Sequence, residues 1–166
     1  PEKSSCVRCH REVPVDAYGG HLFSDWEGSV HAKNRVGCED CHGGNPTKQE
    51  KEAAHGGVHP SNNPQSRVYF RNVPFTCGGR CHIKEYKGFT QSDHYRKLET
   101  SGKGPNCVTC HGSMATSVLG PEKMEEVCVN CHNPRMGISP AKAREARDIV
   151  LLMEETRTIL EWVRLW

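Results

Sequence analysis

The stretch Cys107-Val108-Thr109-Cys110-His111 decides how this chain folds, because four further stretches repeat it. Three of them keep its spacing: Cys6-Val7-Arg8-Cys9-His10, Cys38-Glu39-Asp40-Cys41-His42 and Cys128-Val129-Asn130-Cys131-His132. The last, Cys77-Gly78-Gly79-Arg80-Cys81-His82, has three residues between its cysteines instead of two. Two cysteines at this spacing, followed at once by histidine, are the attachment signature of c-type haem. The sequence therefore predicts five covalently bound haems c.

The cysteine and histidine counts support five haems. All 10 cysteines belong to the motifs and are expected to form the thioether links: Cys6, Cys9, Cys38, Cys41, Cys77, Cys81, Cys107, Cys110, Cys128 and Cys131. The motif histidines are expected to bind one face of each iron: His10, His42, His82, His111 and His132. The remaining histidines supply one candidate second ligand per iron: His21, His31, His55, His59 and His94.

The composition is poor in apolar residues for a chain of this length. Leu, Ile, Val and Phe make up 29 of the 166 residues, although the formal net charge is only +2. Because each haem offers a broad apolar face, and burial of apolar surface contributes roughly 25 cal/mol per Å², we expect haem to supply the missing core. The chain without haem is predicted not to fold.

The formal charge and the pI of 8.2 are misleading. Each haem adds two propionates, so that five ferric haems bring the net charge to about −3 and full reduction to about −8. A nucleic-acid partner is therefore not expected. No apolar run reaches transmembrane length and no signal peptide is present. The start at Pro1, close to the first motif, suggests a processed or truncated N-terminus.

The segments between the motifs predict a mainly α fold with extensive irregular loops, built around stacked haems. Residues 24–31 are predicted to form a helix with Ser24 as N-cap, and residues 47–54 another that ends at His55. Two glycines between His55 and His59 favour a loop there. Residues 68–73 are the one strand-like run, because β-branched and aromatic side chains are enriched in it.

Two of the candidate second ligands lie in similar surroundings. Ser29-Val30-His31 and Ser92-Asp93-His94 each precede a glycine-containing loop and then a motif. This indicates an internal repeat of helix, loop and haem motif, in which neighbouring units stack and bury continuous surface.

The longest regular element is predicted at the C-terminal end. Ser139 is a suitable N-cap and Pro140 a suitable first helical residue, and apolar residues from 141 to 166 follow helical spacing. The predicted domains are a pentahaem cytochrome domain, 1–138, and an amphipathic helix, 139–166. This helix packs on the haem domain or on a partner, as in a homo-oligomer or larger complex.

Zinc and disulfides are the alternative uses of these cysteines. Zinc sites also use paired cysteines, but they give no reason for a histidine after every second cysteine. In the irregular motif, Gly78 and Gly79 give the backbone freedom to loop out the extra residue. The alternative there is a Cys77–Cys81 disulfide, which leaves His82 without a role.

The sixth position on each iron decides the function. An iron bound by two imidazoles changes only its oxidation state, whereas an iron bound by one can bind a small molecule. Five further histidines for five irons favour ligation by two histidines at most or all sites. Met114 and Met136 are alternative thioether ligands if a histidine is not used. Axial ligands tune the haem potential over roughly 0.8 V.

The chain resembles the multihaem c-type cytochromes, especially the group with the tetrahaem cytochrome of ammonia oxidisers, the NapC/NrfH quinol-oxidising cytochromes and hydroxylamine oxidoreductase. The resemblance rests on the second and fourth motifs with their following glycines, and on the two Ser-x-His segments; it covers residues 6–132. It implies closely stacked haems in parallel and perpendicular pairs, and His31 and His94 as distal ligands.

The departures from this group weigh against an enzyme. The chain has no Cys-x-x-Cys-Lys site, no N-terminal membrane anchor and no tyrosine that matches the crosslink of hydroxylamine oxidoreductase. The sequence therefore predicts an electron carrier between redox protein partners, in the periplasm or outside the cell, where c-type haem is attached. A subunit of a larger redox complex or extracellular filament is one alternative. A redox enzyme for a nitrogen or sulfur species at one open haem is the other.

Overall fold

The structure, a computed structural model, describes residues 3–17 and 23–165. In these ranges it contains helices, turns and loops but no strand, which confirms the mainly α fold with irregular loops. The helices are α1 (Ser5–His10), α2 (Phe23–Glu27), α3 (Val30–Lys33), α4 (Cys38–His42), α5 (Lys51–Ala54), α6 (Val73–Gly78), α7 (Ile83–Thr90), α8 (Asp93–Ser101), α9 (Cys107–His111), α10 (Pro121–Cys128) and α11 (Ala141–Arg164), with a 3₁₀ turn at Pro134–Met136.

The chain divides into two compact units, residues 1–117 and 118–166. The first unit contains α1 to α9 and four of the five motifs, and the second contains α10, the fifth motif and α11. The predicted domains, 1–138 and 139–166, were defined by which residues contain haem motifs, whereas the two compact units are defined by contacts along the backbone. The predicted domains therefore stay a prediction.

The prediction of a strand at residues 68–73 is wrong. The segment is a series of turns in which the amide of Tyr69 donates to the carbonyl of Ser66, and the amide of Asn72 to that of Tyr69. Val73 is already the first residue of α6. The β-propensity of Val, Tyr and Phe expresses itself only against a neighbouring strand, and the described chain offers none.

The helix predicted at residues 24–31 is interrupted. It forms as α2 and α3, which are separated by Gly28 and Ser29. Ser29, and not Ser24, acts as an N-cap, because its hydroxyl accepts a hydrogen bond from the amide of Ala32 at 3.2 Å. Glycine is a poor helix former and serine a strong N-cap, so a new helix begins here and carries His31 in its first turn.

Ser92 caps α8 in the same way, since its hydroxyl accepts from the amide of Tyr95 at 3.1 Å. His94 therefore has the same position in α8 as His31 has in α3. The helix-and-histidine part of the predicted repeat is present in both segments.

Few apolar side chains are buried. Among the described residues they are Val7, Phe23, Trp26, Val73, Leu98, Leu119 and Ala143. The cluster of Val7, Phe23 and Trp26 also packs against partly buried residues, one of which is Met114. Several large apolar side chains of the first unit are exposed next to motif residues instead: Val30 beside His31, Phe75 near Cys77 and Ile83 beside His82.

Helix α11 begins one residue later than predicted. Its first helical residue is Ala141, and Pro140 lies at the N-cap. The hydroxyl of Ser139 still accepts a hydrogen bond, from the amide of Ala141 at 3.3 Å. α10 packs against α11, where Ala143 is buried and Arg147 forms an ion pair with Glu125 at 2.7 Å. From residue 151 to residue 165 every side chain of the helix is exposed.

Candidate haem sites

The second and fourth motifs are folded alike. α4 and α9 each begin at the first cysteine and end at the histidine, and each is followed by a glycine with positive φ, 82° at Gly43 and 81° at Gly112. Residues three and four apart lie on the same helix face. Both sulfurs and the imidazole of each motif therefore project to one side, as attachment to a single porphyrin requires.

The residue before each of these motifs is bonded in the same way. The amide of Gly37 donates to the carboxylate of Asp40 at 2.8 Å, and the amide of Asn106 donates to the hydroxyl of Thr109 at 3.1 Å. Asn106 is buried, and its side chain also donates to the carbonyl of Phe70 at 2.8 Å. The spacing of Asn106 and Thr109 is a capping-box spacing, so sequence reasoning could have found it.

The irregular third motif keeps the closing hydrogen bond of a regular one. In the fifth motif the amide of His132 donates to the carbonyl of the first cysteine, Cys128, at 2.8 Å. In the third, the amide of His82 donates to the carbonyl of Cys77 at 3.1 Å across one more residue. The turn therefore absorbs the extra residue, and the histidine stays next to the first cysteine.

The reason for glycine in this motif differs from the expected one. Gly78 is part of α6, and neither it nor Gly79 has a positive φ. A side chain at Gly78 would instead collide with Tyr86 of α7. Glycine is needed for the close approach of the two helices and not for a special backbone angle.

The cysteines of consecutive motifs in the first unit lie close together. Burial, followed by the nearby thiol of Cys6, raises the pKa of Cys38 to about 11. Burial, followed by Asp40 and Cys81, raises the pKa of Cys41. The first motif thus adjoins the second, and the second adjoins the third.

The third motif also adjoins the fourth. α6 packs against α9, and the interaction between the thiols of Cys77 and Cys107 raises the pKa of Cys77 and lowers that of Cys107 to about 7. Cys77 and Cys81 do not form the alternative disulfide in the structure. Within residues 3–17 and 23–165, no three His, Cys, Asp or Glu side chains are grouped to hold a metal ion by themselves.

Two motif histidines face a histidine from elsewhere in the chain. The ring centres of His10 and His55 are 6.0 Å apart with 52° between the planes, and those of His31 and His82 are 6.0 Å apart with 70°. A metal–imidazole bond is about 2 Å long, and the ring centre lies about 1.1 Å behind the bonding nitrogen. Two imidazoles that share one metal ion therefore have centres about 6 Å apart, and both pairs fit this spacing.

Hydrogen bonds to Nδ1 leave Nε2 available in two of the histidines, His55 and His111. Nδ1 of His55 lies 2.8 Å from the carbonyl oxygen of Lys51, and Nδ1 of His111 lies 2.9 Å from that of Ser117. Because a carbonyl only accepts, each Nδ1 carries the proton and Nε2 keeps its lone pair. A second polar group that holds the other ring nitrogen is typical of metal-binding histidines.

His31 is held by a side chain instead. Its Nδ1 lies 2.8 Å from the hydroxyl of Thr116. Burial, followed by the nearby His82, lowers the pKa of His31, which favours the neutral imidazole that a metal ion requires. Sequence reasoning missed Thr116 and the backbone carbonyls of Lys51 and Ser117, since no sequence pattern marks a residue that reaches a distant imidazole.

The other predicted ligands are less defined. His21 lies outside the described residues. His59 lies in a loop, as predicted, because α5 ends at Ala54 and Gly57 has a positive φ. The ligand roles of His42, His59, His94 and His132 stay a prediction. Met114 packs in the apolar cluster, and Met136 is exposed.

No helix in the described part of the chain is both long enough and apolar enough to cross a membrane.

Comparison with known proteins gives three relatives of one kind. The chain is 29% identical over 140 residues to the c-type polyhaem cytochrome OmcC of Geobacter sulfurreducens, which is 84% of this chain and 15% of that protein. It is 24% identical over 136 residues to the multihaem cytochrome MtrA of Shewanella baltica, 82% of this chain and 33% of that protein. It is 27% identical over 128 residues to the c-type polyhaem cytochrome OmcB of Geobacter sulfurreducens, 70% of this chain and 15% of that protein.

The chain thus spans between 15% and 33% of the length of these relatives. No family model and no solved structure matches it. The similarity extends over most of this chain. It supports a multihaem c-type cytochrome with haem c as cofactor, and with it electron transfer in general.

Proposed function

We propose that this chain carries electrons between redox protein partners through five haems c, each held by one of the five cysteine pairs and by the histidine that follows it. Haem iron, when bound, alternates between ferric and ferrous states and so accepts and donates single electrons. The observation that carries the proposal is the pair of facing imidazoles, found twice with ring centres 6.0 Å apart.

These pairs support second ligands at two sites, His55 with His10 at the first motif and His31 with His82 at the third. A haem iron held there by two imidazoles would have no open position for a substrate, which favours a carrier over an enzyme. His21, His59 and His94 are then the candidates for the second, fourth and fifth sites.

The neighbouring thiols suggest the order of the relay. Cys6 adjoins Cys38, Cys41 adjoins Cys81, and Cys77 adjoins Cys107. Haems attached at these positions would follow each other in chain order from the first motif to the fourth. The fifth motif, in the second unit, then serves as a separate entry or exit.

The place of action is proposed to be the periplasm or the cell exterior, because c-type haem is attached outside the cytoplasm in bacteria and archaea. The relatives found by comparison are multihaem c-type cytochromes and do not point to the NapC/NrfH group in particular, so the proposed function rests on the broader class alone.

A larger assembly is the second candidate, because α11 has an exposed apolar stripe. At 100° per residue, the stripe occupies a single 120° arc and consists of Ile149, Leu152, Met153, Thr156, Ile159, Leu160 and Val163. Most of these side chains are more than half exposed. The stripe follows the heptad spacing of a coiled coil, with Ile149, Thr156 and Val163 at position a and Leu152 and Ile159 at position d. Branched residues at a favour a coiled coil of two parallel helices. We propose a second copy of this chain as its partner.

Light scattering of the purified protein tests this assembly. The wild-type protein should be a dimer, and the Leu152→Glu variant should be a monomer. The Thr158→Glu variant, which has the same charge on the opposite side of the helix, should still be a dimer. A monomeric wild type, or a Leu152→Glu variant that remains dimeric, would overturn the second candidate. A monomer whose α11 binds an unrelated protein would also overturn it.

The relay itself is tested by mass spectrometry, a redox titration and carbon monoxide. We expect covalent mass for five haems, five one-electron components and no carbon monoxide binding by the reduced protein, since an iron with two imidazoles lacks an open position. Fewer than five haems would overturn the count. Binding of one carbon monoxide per protein would overturn full ligation by histidine and favour an enzyme at one open haem.

A further inference from the structure

Two consecutive residues after the fourth motif hold imidazoles of two different sites. The backbone carbonyl of Ser117 lies 2.9 Å from Nδ1 of His111, and the hydroxyl of Thr116 lies 2.8 Å from Nδ1 of His31. The chain can return to His111 because Gly112 has a φ of 81°. The amide of Ser117 also donates to the carbonyl of His111, at 3.1 Å, and closes this loop.

The two imidazoles belong to neighbouring sites. His111 is the histidine of the fourth motif, whereas His31 faces His82 of the third motif at 6.0 Å. The helices that contain the first cysteines of these motifs, α6 with Cys77 and α9 with Cys107, pack against each other. A loop that follows one motif thus reaches the proposed second ligand of the motif beside it.

We propose that Thr116 is a positioning residue for the third haem site: its hydroxyl accepts the Nδ1 proton of His31, fixes the orientation of this ring and lowers the reduction potential of the iron. The proposal rests on the proposed ligation of the third site by His31 and His82. An imidazole that binds metal through Nε2 carries its proton on Nδ1, so the threonine hydroxyl must accept. An acceptor at this position raises the basicity of the ligand, and a more basic ligand stabilises ferric over ferrous iron.

The third and fourth sites differ in how this acceptor is provided. At the fourth site it is a backbone carbonyl, which a substitution does not remove. At the third it is a side chain, so the sequence can alter this site alone. The half-buried position of Thr116 also shields the hydrogen bond in part from exchange with water.

The test compares Thr116→Val with Thr116→Ser in the haem-loaded protein. Valine has the shape of threonine without the acceptor, and serine retains the hydroxyl. In a redox titration, Thr116→Val should shift one component to higher potential and leave the other components in place. Thr116→Ser should return that component towards its wild-type position. Thr100→Val, the same change at an exposed position of α8, is the matched control and should shift nothing.

Electron paramagnetic resonance of the oxidised protein gives a second readout, because the g values of low-spin ferric haem depend on the angle between its two imidazole planes. Thr116→Val should alter one low-spin signal, with haem content and far-ultraviolet circular dichroism unchanged.

Three outcomes would overturn the role of Thr116: no shifted component, an equal shift in the valine and serine variants, or a uniform shift of all components. Failure of the proposed function has a different signature. In that case wild type itself would lack low-spin signals of haem with two imidazoles, whatever residue is present at position 116.

Discussion

The two units of this molecule use different means to order their helices. In the first, α1 to α9 are between four and nine residues long, and isolated helices of this length are not stable in water. Polar links between distant segments hold them: the amide of Ser5 donates to the carbonyl of Pro46 at 2.8 Å, and Arg71 donates to that of Glu99 at 2.8 Å. The second unit relies on one helix of 24 residues.

This difference shows where the cofactors matter most. Short helices with few buried apolar side chains need another source of burial, and the first unit has four of the five motifs. A long helix forms through its own hydrogen bonds and needs only one packed face, which α11 has against α10. We therefore expect changes of the same kind to cost more in the first unit than in the second.

Loss of a haem site should produce the largest difference. Replacing Cys38 and Cys41 together by alanine should remove one haem, and also the cooperative unfolding of the first unit, because this motif adjoins both the first and the third. Replacing Cys128 and Cys131 should remove one haem and leave four in place. Mass spectrometry of covalent haem and thermal circular dichroism measure both effects. Equal unfolding curves for the two variants would contradict the comparison.

The second-largest difference in stability between the units is expected when one leucine in each is truncated to alanine. Leu98 of α8 is fully buried, whereas Leu152 of α11 is 63% exposed. Leu98→Ala should reduce the free energy of unfolding by about 3 kcal/mol, since a buried leucine loses both its transfer energy and its packing. Leu152→Ala should change it by no more than about 0.5 kcal/mol at protein concentrations low enough for the chain to be monomeric. Denaturant titration of the monomer followed by circular dichroism measures both; a cost above about 2 kcal/mol at Leu152 in the monomer would show that another part of the same chain covers α11.

Replacing one capping asparagine in each unit should give a smaller difference in the free energy of unfolding between the two units. Asn106, before the fourth motif, is buried and also bonds to Phe70, whereas Asn133, after the fifth, is only half-buried and caps the 3₁₀ turn. Asn106→Ala should cost about 2 kcal/mol, because buried polar groups lose their partners. Asn133→Ala should cost about 1 kcal/mol. The same titration compares them, and equal costs would mean that burial of Asn106 adds nothing.

The smallest effect is expected at the ion pair of Arg147 and Glu125 in the second unit. Both side chains remain about one-third exposed, so water and salt screen their attraction. Arg147→Met, which keeps the aliphatic part of the side chain but removes the ion pairs with Glu125 and Asp148, should lower the free energy of unfolding by less than either asparagine change, because exposed ion pairs contribute little. The cost should shrink further in 1 M salt; a cost that does not depend on salt would point to packing of the arginine rather than to its charge.

Local patterns were predicted well where the physics is local. The end of α5 before His55 and the start of α11 near Pro140 each depend on a few consecutive residues. The cap before His31 was predicted at Ser24 instead of Ser29, because the break at Gly28 was not foreseen. The strand at residues 68–73 was wrong because β-propensity depends on a partner strand. The role of Gly78 was misjudged because it depends on Tyr86, which belongs to another helix.

The sequence by itself determined the five motifs, and in the second and fourth the two cysteines and the histidine lie on one face of a short helix because of their spacing alone. It also limited the candidate histidines for second ligands to the five outside the motifs. Only the tertiary structure brought His55 to His10, His31 to His82 and Thr116 to His31. These contacts join residues far apart in sequence, so they depend on how all the intervening helices and turns pack, and no local spacing contains that information.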